Sequence, residues 1–219
     1  MVTLTMYSAD LDRLNQLLPL KSRQDALDPV LRDLHRKVLL SFAAIGRPLT
    51  RAQIAALAGD ERVDEVLERL AADDLIVLSD DRKEITGAYP FTIEQRVHRV
   101  NINGQDAYAM CALDALSIAP MCNVSTRILS QCHVTDTPVE IQMNGDEVLS
   151  AMPADVHVGI RWQSTSGCAA KNLCMEMVYL KDASTAQAWQ QQDPDNISIY
   201  PLDQAVEFGA AFFKPLLAT

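Results

Sequence analysis

The sequence predicts an α+β protein: an N-terminal winged-helix-like module of three helices packed on a mixed α/β core with antiparallel strands. Three observations point there. Apolar residues recur at helical spacing through roughly the first seventy positions. Residues 75–89 then read as a hairpin, and beyond residue 91 short alternating segments separated by turn signals replace the helical period. The change of pattern divides the chain into residues 1–90, helical, and residues 91–219, the larger mixed core.

The elements follow in order. Leu11, Leu14, Leu17 and Leu18 give a short peripheral helix closed by Pro19. Asp28 is placed to cap, and Pro29 to start, a helix whose apolar stripe is Val30, Leu31, Leu34, Val38, Leu39, Phe42 and Ile45, ended by Gly46 and Pro48. Thr50 caps a second helix through Ala58, and Gly59 stops it. A third runs over residues 60–73 with Val63, Val66, Leu67 and Leu70 inward. Residues 75–78 and 84–89 flank a polar turn, so helices plus hairpin form the winged-helix pattern. In the core, residues 92–100 and 107–110 are strands around the tight-turn pair Asn103-Gly104. Residues 112–118 form an apolar helix ending at Pro120; residues 126–131, 139–143, 156–161 and 173–180 are further strands. Ser184 or Thr185 caps a helix through Trp189, and residues 206–217 form the last helix.

Composition narrows the function. With 219 residues, 48% hydrophobic and 22% charged, collagen-like, disordered and coiled-coil classes are excluded. A formal charge of −10 argues against phosphate backbones and anionic membranes, so neither nucleic acid nor membrane is expected as a partner. The third helix sharpens this, setting Arg62 and Arg69 against Glu61, Asp64, Glu65, Glu68 and Asp73. The apolar stretch around residues 39–45 falls far short of the roughly 20 residues that cross a bilayer. Asp10 and Asp12 precede the first basic residue, Arg13, which is not the order of a secretory signal; a cytoplasmic protein is expected. Its five cysteines, 111, 122, 132, 168 and 174, are then expected as reduced thiols. That raises thiol chemistry and metal binding as candidate functions, and with only 8 glycines and no Walker-type or dinucleotide-binding loop, phosphate cradles are scarce.

Cys111 stands where a strand hands over to a helix, with Asp114 three residues on, so both side chains lie near one edge of the first helical turn. A thiol there meets free backbone N–H groups and the helix dipole, which favour the thiolate. The same spacing also suits a small buried cysteine beside an N3 carboxylate. Cys174 lies in an apolar segment where packing is the ordinary role. No cysteine pair has C-x-x-C spacing, and His35, His98, His133 and His157 show no ligand pattern apart from His133 standing beside Cys132.

Tyr108-Ala-Met-Cys111-Ala-Leu-Asp114-Ala-Leu116 resembles the signature of the organomercurial (alkylmercury) lyases. Ser130-Gln-Cys132 with Thr135-Asp-Thr-Pro138, and Cys174 with Thr185-Ala186 and Trp189, resemble two further segments of that family in the same order, so the resemblance spans about residues 30–213. It implies protonolysis of a carbon–mercury bond to a hydrocarbon and Hg(II), with Cys111 and Cys174 as the mercury-binding thiols, Asp114 as proton shuttle and a further ligand to the Hg(II) product, and Cys132 as structural. No cofactor is implied, but free thiols are needed for turnover. The implied partners are an organomercurial substrate, small cellular thiols and a mercuric reductase that accepts Hg(II), and the protein is expected as a monomer or weak homodimer. Met175 stands where some members carry another cysteine, and Cys122 and Cys168 have no family role. The competing reading is an organomercury- or metal-binding sensor without turnover; Asp114 and the acidic third helix both disfavour it.

Overall fold

The structure is a computed structural model that describes residues 8–162 and 169–218. Its first helix, α1 (Ser8–Leu17), and a short α2 (Leu20–Asp25) flank Pro19. The peripheral placement expected of this region is corrected, because Leu14, Leu18 and Leu20 are buried in the main core. Next comes α3 (Pro29–Ile45), where the Asp28 carboxylate accepts from the N–H groups of Val30 and Leu31 and Gly46, at φ +70°, closes the end. In α4 (Arg51–Ala58), Thr50 and Gln53 form a reciprocal capping box. A 3-10 turn (Asp60–Arg62) leads into α5 (Val63–Ala72), and the four predicted inward residues are all buried.

All pairings in both sheets are antiparallel. The hairpin β1 (Val77–Leu78) and β2 (Ile85–Ala88) continues through β3 (Phe91–Thr92) into β4 (His98–Ile102), β5 (Gln105–Ala109), β6 (Ser125–Gln131), β7 (Pro138–Asn144) and β8 (Glu147–Met152). These eight strands form one sheet in the order β1-β2-β3-β5-β4-β6-β7-β8. A smaller sheet has β9 (His157–Arg161) between β10 (Met177–Leu180) and β11 (Ile197–Pro201).

Between the sheets runs α6 (Ala112–Cys122), packed against β3 to β7, β10 and the last long helix, α8 (Leu202–Phe213). Every residue from Ala112 to Met121 is buried, as expected of a helix apolar on all sides. Its approach to α8 requires Gly209, where a Cβ would lie 2.2 Å from the Ser117 hydroxyl. Gly159 on β9 serves the same end for Trp189 of α7 (Ala183–Gln190), whose ring carbon would lie 2.4 Å from a Cβ.

Four local expectations are corrected. Pro120 lies inside α6, since the helical φ of proline is tolerated there at the loss of one N–H donor, and the helix ends at Asn123 in the left-handed region. Residues 92–100 are not one strand; the Thr92 hydroxyl accepts from Glu94 N–H in a local turn before β4 begins. The edge strand β8 escaped notice because neither face is buried, so no alternation marks it. Asp182, not Ser184 or Thr185, caps α7, accepting from Thr185 N–H at 2.7 Å.

Candidate active site

Cys111 is the N-cap of α6, two residues past the end of β5 and in extended conformation. Its sulfur accepts the N–H of Asp114 at 3.3 Å, so thiol and carboxyl share the first helical turn as the spacing predicts. From the smaller sheet, β10 brings Met177, whose thioether sulfur is 3.6 Å from the Cys111 sulfur, and Tyr179, whose hydroxyl donates to the Ala112 carbonyl at 3.1 Å.

Cys174 does not lie in a strand, which corrects the sequence reading. Pairing with β9 begins only at Met177, and the preceding residues coil into a 3-10 turn (Leu173–Glu176) in which Met175 N–H donates to Asn172. The turn carries Cys174 to Cys111 and Asp114: one ligand atom from each of the three lies within 4.8 Å of the others, and all three residues are buried. Among the described residues, no other group of three metal-ligating side chains gathers in this way.

Burial sets the electrostatics. Desolvation pushes Asp114 up to about 7 against the opposing hydrogen bonds from Cys111 and Cys174. Its Oδ2 has no hydrogen-bond partner among the described residues. Relative to water, ionising this carboxyl costs on the order of 4 kcal/mol. Cys111 is raised well above the ordinary thiol range by desolvation, with the Cys174 hydrogen bond and the Asp114 charge adding to it. The expected thiolate stabilisation by the helix start is therefore overturned: the Asp114 N–H works in that direction, but burial outweighs it. The resting site is a protonated thiol beside a carboxyl poised near neutrality.

A cavity of about 490 Å³ opens on this cluster, lined by Cys174 together with Met110, Met177, His98, His133 and Tyr179. Cys111 and Asp114, both buried, are not among its lining residues. His98, held by Ser130 at 2.8 Å and edge-on to Tyr179, is pushed down to about 4 by desolvation and then by the Arg96 charge, so it is neutral. Sequence reasoning passed over His98 and Tyr179, although both are polar residues on inward positions of buried strands, which was the available signal.

The other cysteines stand apart from the cluster. Cys132 occupies the turn between β6 and β7; burial works upward on its thiol, but hydrogen bonds from the Thr135 hydroxyl and from backbone N–H groups of Val134, Thr135 and Lys181 outweigh it and hold it below the usual range. Cys122 ends α6, raised to about 12 by desolvation. Cys168 lies outside the described residues.

The family model described as alkylmercury lyase (MerB) matches residues 91–214, a span that contains all three clustered residues. The chain belongs to the alkylmercury lyase family. It is 31% identical over 173 residues to the alkylmercury lyase of Staphylococcus epidermidis, covering 78% of this chain and 77% of that one. It is likewise 31% identical over 179 residues to the alkylmercury lyase of Streptomyces lividans, covering 82% and 81%. The fold matches a crystal structure of the mercury-bound form of MerB2 with a TM-score of 0.75 at 22% identity, over 91% of this chain and 98% of that one. An alkylmercury lyase is an enzyme of carbon–mercury cleavage, and the mixed α/β architecture with antiparallel sheets is the one its structural neighbour shares.

Proposed function

We propose that Cys111, Asp114 and Cys174 perform the protonolysis of organomercurials, R–Hg–X, to R–H and Hg(II). The observation that carries the reading is the buried cluster of two thiols and one carboxyl within 4.8 Å. Mercury is soft and prefers sulfur, whereas breaking its bond to carbon needs a proton delivered to that carbon. Cys174, the thiol that lines the cavity, receives R–Hg first; its sulfur displaces X, and its proton leaves with X as HX. The Cys111 sulfur then adds to mercury while its proton passes to the Asp114 carboxylate. The second sulfur raises electron density on carbon, Asp114 hands the proton to carbon, R–H departs, and Hg(II) remains on the two sulfurs with the Asp114 carboxylate beside it. One R–Hg–X and two thiols thus give R–H, HX and a bis-thiolate. A carboxyl near 7 suits this, being able both to take and to give the proton near neutral pH.

Release of Hg(II) needs competing sulfur, so small cellular thiols are the natural acceptors and a mercuric reductase the natural destination. No resident cofactor has a part in these steps. A cytoplasmic site of action is part of this reading; among the described residues no helix is long and apolar enough to cross a membrane. Residues 1–90 are read as a winged-helix-like support built on α3, α4, α5 and the β1–β2 hairpin, and residues 91–219 as the lyase core. The test is benzene release from phenylmercury with excess thiol. Multiple turnovers, lost in Cys174→Ala, are the expected result; tight binding without benzene would instead favour a sensor.

A further inference from the structure

The segment that brings Cys174 to the site is not held by a sheet until Met177, and its upstream end is held by the N-terminal region. Asp74 follows α5 in the left-handed conformation, φ +52°, and its Oδ2 accepts the N–H of Ala169 at 3.3 Å. Tyr89, buried at the end of the β1–β2 hairpin, accepts the N–H of Ala170 on its hydroxyl at 2.8 Å and donates that hydroxyl to Asp74 Oδ1 at 3.2 Å. Arg23 of α2 stands 3.6 Å from the same carboxylate. Ala169 and Ala170 begin a 3-10 turn (Ala169–Lys171), so the two side chains satisfy the first two orphan N–H groups of that turn. From there an unbroken run of turns continues, Asn172 N–H to Ala169 at 3.1 Å and Met175 N–H to Asn172 at 3.0 Å, with Cys174 inside the second.

We infer that Asp74 and Tyr89 are positioning residues for Cys174: the helical N-terminal part caps the turn that presents the second thiol. The inference rests on the reading of Cys174 as a reacting thiol, but its consequence is measurable without turnover. Loss of a cap leaves the upstream N–H groups unsatisfied, the turns lose their fixed start, and Cys174 is held less closely against Cys111 and Asp114, whose mutual placement is set by the first turn of α6. Neighbouring contacts of the turn, Arg96 to the Met175 sulfur at 3.4 Å and Arg161 to Glu176 at 3.2 Å, hold the downstream side and remain intact.

The experiment uses the full chain with Tyr89→Phe, which keeps the ring volume, together with Asp74→Asn and Asp74→Ala. Iodoacetamide labelling of Cys174 and Cys111 is followed separately by peptide mass spectrometry, beside thermal melting and phenylmercury kinetics. Expected are faster alkylation of Cys174 with Cys111 unchanged, on the order of tenfold for Asp74→Ala and Tyr89→Phe and less for Asp74→Asn, which keeps an acceptor oxygen. The turnover number should fall by a similar factor in the same order, with melting close to wild type. As a control, Arg82→Ala removes an ion pair to Glu68 in the same region and should leave Cys174 labelling unchanged. Wild-type labelling of Cys174 in folded Tyr89→Phe and Asp74→Ala would overturn the inference, as would a parallel rise at Cys111. A wild-type protein that releases no benzene would remove the lyase reading while leaving the labelling result to decide the clasp.

Discussion

The two halves of the site are built differently. Cys111 and Asp114 come from one continuous stretch, where the end of β5 passes into the start of α6, and a single helical turn sets their mutual geometry through the 3.3 Å bond from Asp114 N–H to the Cys111 sulfur. Cys174 comes from a 3-10 turn with no sheet partner of its own, held from outside by Arg96, Arg161, Asp74 and Tyr89 on four different elements or loops. The first half is set locally, by one buried helix start; the second depends on the rest of the fold being in place. A pair of thiols that must close on one metal atom thus combines a fixed partner with one delivered by tertiary contacts.

The comparison breaks most sharply on the thiols themselves. Cys111→Ala and Cys174→Ala should each abolish benzene release, yet differ in capture: Cys111→Ala still takes up one equivalent of phenylmercury at Cys174, whereas Cys174→Ala takes it up slowly, since Cys111 is fully buried and is not among the residues that line the cavity. Equal uptake rates, read by mass spectrometry of the intact protein, would remove the proposed order.

Next in size is Asp114→Asn, expected to slow turnover by roughly 10²–10⁴-fold while leaving organomercurial capture in place. The pH profile carries a second signature. The proposed chemistry needs one proton shared between Cys111 and Asp114, so kcat/KM should rise with pH through about 7 as the second proton leaves the pair, and Asp114→Asn should lose that acidic limb. An unchanged profile in the variant would assign the proton to another group.

A smaller effect tests the rigidity of the Cys111 half. Gly209→Ala places a methyl 2.2 Å from the Ser117 hydroxyl, so α8 must shift from α6, at a cost of roughly 1–3 kcal/mol in denaturant unfolding. If stability is unaffected, α6 is not as tightly enclosed as its burial indicates.

The last effect concerns pH and stability. His35 and His98 are both lowered from 6.5 to about 4, mainly by desolvation, so the unfolded chain binds their protons first. Their contribution is complete above pH 6.5 and is lost as pH falls from there toward 4. Asp114 acts in the opposite sense: raised to about 7, it favours the folded state below its unfolded value near 4, and that contribution is lost as pH rises toward 7. Asp114→Asn should therefore melt higher than the parent at pH 8 and lose the advantage by pH 4, a difference checked by thermal melts across that range.

Three helix starts were legible because capping is local: Asp28, Thr50 and Cys111 each meet N–H groups two or three residues away. The proline in α6 and the break after Thr92 were misread for the opposite reason, since a rule that holds on average yielded to packing around one buried helix and to one side-chain turn. The edge strand β8 was invisible because a segment with two exposed faces leaves no alternation.

The sequence by itself determined the helix–hairpin order of the N-terminal part, the pairing of Cys111 with Asp114, and the motifs that mark the alkylmercury lyase family, because each rests on residues within a turn or two of one another or on their order along the chain. Only the tertiary structure decided that Cys174 stands on a turn rather than a strand, that this turn closes to within 4.8 Å of Cys111 and Asp114, and that burial raises both groups. Those facts depend on desolvation and on contacts between segments some sixty residues or more apart, as from Cys111 to Cys174 or Asp74 to Ala169, and neither quantity is written in local spacing.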